Sequence, residues 1–211
     1  MNIAILLYEG ITALDAIGPY EVLHRMPDTS VQFVARERGL KRTDSADLAL
    51  NADYTLDEIT APEIILIPGT PNPEPLLKDE TVLAWIRDTH TTTKWTTSVC
   101  TGALALGAAG LLKGIRATTH WLALDGLQNF GAIPARERVV REGKIITAAG
   151  VSSGIDMALT LAALEYGEQT AQEMQLIIEY DPEPPFNAGS PDKAPKEITE
   201  KLRTLYGDLS H

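Results

Sequence analysis

The chain of 211 residues carries 44% hydrophobic and 22% charged residues, the balance of a folded globular protein rather than a disordered or fibrous one. Its length suits a single domain over residues 1–211, or at most two small cores. A formal net charge of −11, spread along the chain instead of gathered in a tail, disfavours a phosphate backbone and excludes nucleic acid as an expected partner.

Residues 1–8 lack the basic stretch of a secretion signal. Within them, 3–7 form a continuous apolar run, as expected of a strand buried on both faces of a parallel sheet. Turn formers and one acid, Asp15, occupy 10–19, and Gly18 with Pro19 then opens a predicted first helix through Val22, Leu23 and Met26. Residues 31–35 read as a second strand, and the alternation over 48–54 as a half-buried strand near a sheet edge. Ile64, Ile65, Leu66 and Ile67 predict a fully buried strand that ends at Pro68, Gly69 and Thr70; Pro71, Pro73 and Pro75 keep the next residues extended. Helical spacing resumes over 76–89, with Leu77, Val82, Leu83 and Ile86 on one side.

Residues 95–99 are the next strand candidate, and 102–112, rich in Ala, Leu and Gly, predict a helix thin enough to pack closely on a sheet. Glu142 and Gly143, between apolar stretches at 139–140 and 144–148, signal a hairpin. Helices are predicted over 152–166, with Ser152 or Ser153 as N-cap, and over 171–180. A proline-rich segment from about 181 interrupts the pattern and leads to an exposed helix over 195–206. Buried strands alternating with helices indicate an α/β sandwich. No apolar run reaches the roughly 20 residues of a membrane helix, so a membrane is not an expected partner.

Cys100 is the only cysteine. That excludes an internal disulfide and a multi-cysteine metal site, and it fits a reducing, cytoplasmic setting. It stands where an apolar strand ends and small residues, Gly102 and Ala103, open a helix. This is the pattern of a nucleophile elbow, whose tight turn presents the side chain at the bend. A helix N-terminus offers partial positive charge and free N–H groups, so a raised thiolate fraction is expected there. The alternative for a lone cysteine is a small buried hydrophobe. His24, His90 and His211 fall in expected surface helices or the tail, and no metal site is expected.

Several motifs make the pattern specific. Ile65-Leu66-Ile67-Pro68-Gly69, Ser98-Val99-Cys100-Thr101-Gly102, Gly110-Leu111-Leu112-Lys113-Gly114 with Arg116-Ala117-Thr118-Thr119-His120-Trp121, and Leu14-Asp15-Ala16-Ile17-Gly18-Pro19 together resemble the DJ-1/PfpI (ThiJ) superfamily. Gly131-Ala132-Ile133-Pro134, Gly154-Ile155-Asp156 and Pro184-Pro185-Phe186-Asn187-Ala188-Gly189-Ser190-Pro191-Asp192 resemble its isocyanide hydratase branch. The resemblance implies a flavodoxin-like three-layer sandwich with a mainly parallel sheet, a homodimer, no cofactor, and hydration of a small-molecule isocyanide through a thioimidate on Cys100.

It also implies that Asp15, from the loop after the first strand, reaches the cysteine; without it, Asp15 reads as a turn or capping aspartate. Thr101 would hydrogen-bond near the thiolate or the substrate. It stands where peptidase-like and deglycase-like relatives carry histidine, which disfavours peptide hydrolysis. Backbone N–H groups at Gly69, Thr70 and Thr101 are expected to hold developing negative charge or a water. Ile17 and His120 complete the substrate-binding set, with a structural hydrogen bond to the backbone the stronger expectation for His120. Thr70 departs from the second glycine common in the family. Three other readings stay open: a cysteine-based oxidative-stress sensor, a glyoxalase or deglycase, and the ligand-sensing domain of a transcription regulator. The last is weak because the chain ends near the end of the domain with nothing basic appended.

Overall fold

The apolar runs become the centre of a seven-stranded sheet because both of their faces are covered. In the computed structural model, which describes residues 1–207, the chain opens with β1 (Asn2–Leu6) and α1 (Ala13–Leu23). There follow β2 (Ser30–Ala35), β3 (Gly39–Arg42), β4 (Ala49–Ala52), β5 (Tyr54–Thr55) and β6 (Ile64–Ile67). Then come α2 (Glu74–Leu77), α3 (Glu80–Thr92), β7 (Trp95–Val99), α4 (Gly102–Ala108) and β8 (Arg116–Ala117). Two 3₁₀ turns, Trp121–Ala123 and Asp125–Phe130, lead to β9 (Ile133–Pro134), β10 (Val139–Glu142) and β11 (Ile145–Ala148). The chain finishes with α5 (Ser153–Tyr166), α6 (Glu168–Ile177) and α7 (Lys196–Tyr206). His211 lies outside the described residues.

The main sheet runs β10-β11-β7-β6-β1-β2-β5. It is parallel except for the β10–β11 hairpin. Along β1 the faces alternate: Ile3 and Ile5 join one core with Val22 and Leu161, while Ala4 and Leu6 join another with Ile86 and Leu104. Helices α1, α5 and α6 therefore cover one face and α3 and α4 the other, the three-layer sandwich expected from continuous apolar strands. From β1 the chain goes to β2 on one side and returns to β6 on the other, which makes the β1–β6 boundary a topological switch point. Ligands in open α/β sheets bind outside the carboxyl ends of strands at such a point. No helix among the described residues is long and apolar enough to cross a membrane.

Several boundaries differ from the sequence expectation, each for a local reason. The first helix starts at Ala13, not Gly18, so Asp15 lies in its first turn and Pro19 in its interior. An interior proline forgoes a hydrogen bond, but here its ring packs against α5, where a Cβ on Gly154 would come within 2.8 Å of Pro19 Cγ. Residues 76–89 are not one helix: Asp79 caps α3 by accepting from the N–H groups of Thr81 and Val82, which separates it from α2. The helix after Cys100 ends at Ala108, with Gly110 at φ +82° providing the left-handed stop. Residues 49–52 pair with β3 in a separate two-stranded ribbon, and only Tyr54–Thr55 reaches the sheet edge. Ser152 takes the N-cap position of α5, as expected, but its side chain makes no capping hydrogen bond, and Ser153 Oγ donates to Gly150 O. His90 is half-buried rather than on an open surface, with Nδ1 2.8 Å from Thr96 Oγ1.

Close approach of α4 to the sheet depends on Gly102, where a Cβ would fall 2.0 Å from Ile67 O. Gly102→Ala is expected to destabilise the protein by about 3 kcal/mol or to prevent folding; a urea midpoint equal to that of the wild type would show that α4 is free to shift.

Candidate active site

Three loops meet at the carboxyl ends of β1, β6 and β7, and each contributes one member of the site. The loop after β1 passes through Tyr8, Gly10 and Thr12 into α1. Thr12 N–H donates to Gly69 O at 2.9 Å, and Gly69 N–H donates back to Asp15 Oδ2 at 2.9 Å. Gly69 thus grips the start of α1 from both sides of its own backbone. No other residue fits there, since a Cβ on Gly69 would lie 2.6 Å from Thr101 N and 2.9 Å from Asp15 Oδ2.

Cys100 follows β7 with φ +57°, a conformation that costs a non-glycine residue about 1–2 kcal/mol. The elbow is held at both ends. Its N–H is shared between Ala148 O at 3.1 Å and Ala149 O at 2.8 Å, and its carbonyl accepts from Thr119 Oγ1 at 2.7 Å. Thr119 was not among the expected site residues, although it sits in the quoted motif; nothing in sequence spacing tells which of two adjacent threonines turns toward the elbow.

Asp15 is fully buried, with Oδ2 on Gly69 and Oδ1 without a well-formed hydrogen bond. The Cys100 thiol lies beside this carboxyl. Burial raises the Asp15 pKa from 3.8 to about 7, against the lowering pull of the Gly69 N–H and of the thiol, with the nearby Asp44 carboxylate adding to the rise. Asp44 comes from the turn between β3 and β4 and accepts from Thr12 Oγ1 at 2.9 Å. Burial and the Asp15 charge also push the Cys100 thiol well above its ordinary range, although the Thr101 N–H and hydroxyl favour the thiolate. The raised thiolate fraction expected of the helix terminus is therefore not met at rest: Cys100 is only 5% exposed, and desolvation outweighs the helix terminus.

The remaining expected residues divide. Thr101 sits at the helix start, where its hydroxyl donates to Thr70 O at 2.7 Å and accepts from Thr70 N–H at 2.8 Å, while both its N–H and its hydroxyl act on the Cys100 sulfur. The N–H groups of Gly69 and Thr70 are likewise engaged, and they position Asp15 and Thr101 rather than await a developing charge. Thr70 in place of glycine is accommodated because its Oγ1 accepts from Asn72 N–H at 3.2 Å. Ile17 is half-buried and, two residues past Asp15 on α1, points roughly 200° around the helix from it. His120 Nδ1 accepts from Leu122 N–H at 3.3 Å, capping a 3₁₀ turn, and burial lowers its pKa; the local structural role outweighs a catalytic one. Tyr8, absent from the expected set, donates to Pro68 O at 2.8 Å and lies within electrostatic range of Asp15 and Cys100. A tyrosine just past the end of the first strand, at the switch point, is the signal that marks it.

These features define an α/β protein with a cysteine on a strained strand-to-helix elbow and a buried acid from the first turn of the helix after the first strand. The DJ-1/PfpI family pattern matches residues 1–164, and the chain belongs to that family. The isonitrile hydratase of Pseudomonas putida is 44% identical over 203 residues, spanning 96% of this chain and 89% of its own. A crystal structure of a ThiJ/PfpI family protein from Pseudomonas syringae superposes with a TM-score of 0.96 at 37% identity, covering 99% of this chain and 87% of that one. The HTH-type transcriptional regulator CdhR of Pseudomonas aeruginosa is 29% identical over 165 residues, but that match takes in 76% of this chain and 48% of the regulator.

The raised Asp15 pKa sets a stability trend. The folded protein holds this proton more tightly than the unfolded chain, so ionising Asp15 favours unfolding. Its contribution is full below about pH 4 and is lost as pH rises to about 7, by about 4 kcal/mol at most. Asp15→Asn is expected to flatten that decline; parallel urea midpoints for wild type and variant from pH 4 to 8 would contradict it.

Proposed function

We propose that this chain is an isocyanide hydratase, adding water to an isonitrile to give an N-substituted formamide through a covalent bond to Cys100. The observation that carries this reading is a buried carboxyl, poised near neutral pH, beside a thiol held on a strained elbow. The likeness to the Pseudomonas putida isonitrile hydratase over nearly the whole chain supports the substrate class.

Asp15 and Cys100 are best treated as a pair that holds two protons below about pH 7 and one above it. In the one-proton state, transfer from sulfur to the carboxylate makes a thiolate next to a carboxylic acid, with Thr101 N–H toward the sulfur. An isocyanide presents a linear terminal carbon, slender enough to approach a nearly covered sulfur. The thiolate bonds that carbon while the Asp15 proton lands on the same atom, leaving a neutral thioimidate with a C=N bond. Asp15, now ionised, takes a proton from an entering water whose oxygen bonds the carbon, and passes it to nitrogen. It then accepts the hydroxyl proton as the C–S bond breaks, which releases the formamide and restores the thiolate–carboxylic acid pair.

Turnover of a simple alkyl or aryl isocyanide, followed spectroscopically, is expected to vanish in Cys100→Ala. In a folded Asp15→Asn protein it is expected to fall by about 100-fold or more. The value of kcat/KM should rise with pH through about 7, as the pair loses its first proton, and Asp15→Asn should lack that limb. Full activity in Cys100→Ser would count against covalent catalysis.

A homodimer belongs to the same reading. Leu176, Ile177, Phe186 and Leu205 are between 66% and 79% exposed on α6, α7 and the segment joining them. Burying these side chains against a second copy would remove apolar area from water. Light scattering is expected to give the mass of two chains; a monomer at micromolar concentration would contradict this part.

A further inference from the structure

We infer that Tyr8 is a positioning residue for the reacting pair, acting through the single peptide group between Pro68 and Gly69. This rests on the reading of Asp15 and Cys100 as the groups that react. The phenol donates to Pro68 O at 2.8 Å, and the N–H of the same peptide unit, on Gly69, donates to Asp15 Oδ2 at 2.9 Å. The chain of contacts is continuous: phenol, peptide carbonyl, peptide N–H, carboxylate, and beside it the thiol.

Two physical effects follow from that geometry. A hydrogen bond to a carbonyl oxygen polarises the amide, which makes its N–H a stronger donor to the carboxylate beyond it. The same bond fixes the plane of the peptide, and so the direction from which Asp15 is held. Proline at 68 offers no N–H of its own, and Gly69 admits no side chain without striking Thr101 or Asp15. The peptide is therefore oriented by its two hydrogen bonds. The titratable groups that face Asp15 are Tyr8 after β1, Asp44 from the β3–β4 turn and Cys100 after β7. The phenol is the one among them that meets Asp15 through a backbone group.

Tyr8→Phe tests this, because it keeps the ring and its packing and removes only the hydroxyl. The readout is the pH dependence of Cys100 alkylation by iodoacetamide, which needs no assumption about the natural substrate. A weaker Gly69 donor stabilises the Asp15 carboxylate less, so the acid limb is expected to move up by about half a pH unit in the variant. With an isocyanide as substrate, kcat should fall by roughly threefold while KM changes less, since the ground-state contacts of the substrate are untouched. In an Asp15→Asn background the second substitution should shift nothing further. A lower melting temperature with the alkylation limb unmoved would show a purely structural tyrosine and overturn the inference. A shifted alkylation limb in a protein that does not turn over isocyanides would uphold the role of Tyr8 and reject the proposed substrate.

Discussion

The hydrogen bond from Gly69 N–H to Asp15 Oδ2 is the contact on which the site depends, because it ties together segments 54 residues apart and does so at a buried charge. A carboxylate removed from water without partners is strongly disfavoured, and one backbone donor meets only part of the need. The remainder appears as a pKa raised to about 7. Partial satisfaction is thus a chemical property: it keeps a proton available next to sulfur at neutral pH.

Beside that bond the backbone is strained at the elbow. Cys100 occupies the left-handed region, and it is kept there by two carbonyls on its N–H and a threonine hydroxyl on its carbonyl. The parallel sheet makes this possible. Strands β1, β6 and β7 end side by side, so loops distant in sequence meet without long excursions, and α4 descends onto β6 only because Gly102 has no side chain. Burial has a second consequence. A thiol whose pKa is pushed up by burial has a smaller thiolate fraction, and oxidation follows thiolate character. In the proposed reaction, proton transfer to Asp15 forms the thiolate when substrate is present.

Much of the fold was legible in the chain because strands buried on both faces admit few polar residues. The runs at 3–7 and 64–67 and the hairpin at 142–143 lie where pattern alone placed them. The strand Trp95–Val99 also lies where it was expected, but it is less apolar than expected: its threonines are buried with hydroxyls bonded to Ile65 O, His90 and Thr93. Less was legible where capping or close packing overrides periodicity, as at Asp79, Pro19 and the ribbon of β3 and β4. In the site, Cys100 and Asp15 were recognisable from their motifs. Tyr8, Thr119 and Asp44 were not, since each matters through a contact with a distant backbone or side chain.

By itself the amino-acid order determined the alternation of apolar strands and helices, the single cysteine at a strand end, and the glycines that allow a tight elbow. These are local properties, set by side-chain size, hydrophobicity and allowed backbone angles. Only the tertiary structure decided how far the thiol is desolvated, which N–H groups are already engaged, and that Asp15 titrates near neutrality. Those quantities depend on the distance between loops and on the exclusion of water, and neither exists until the three strand ends are brought together.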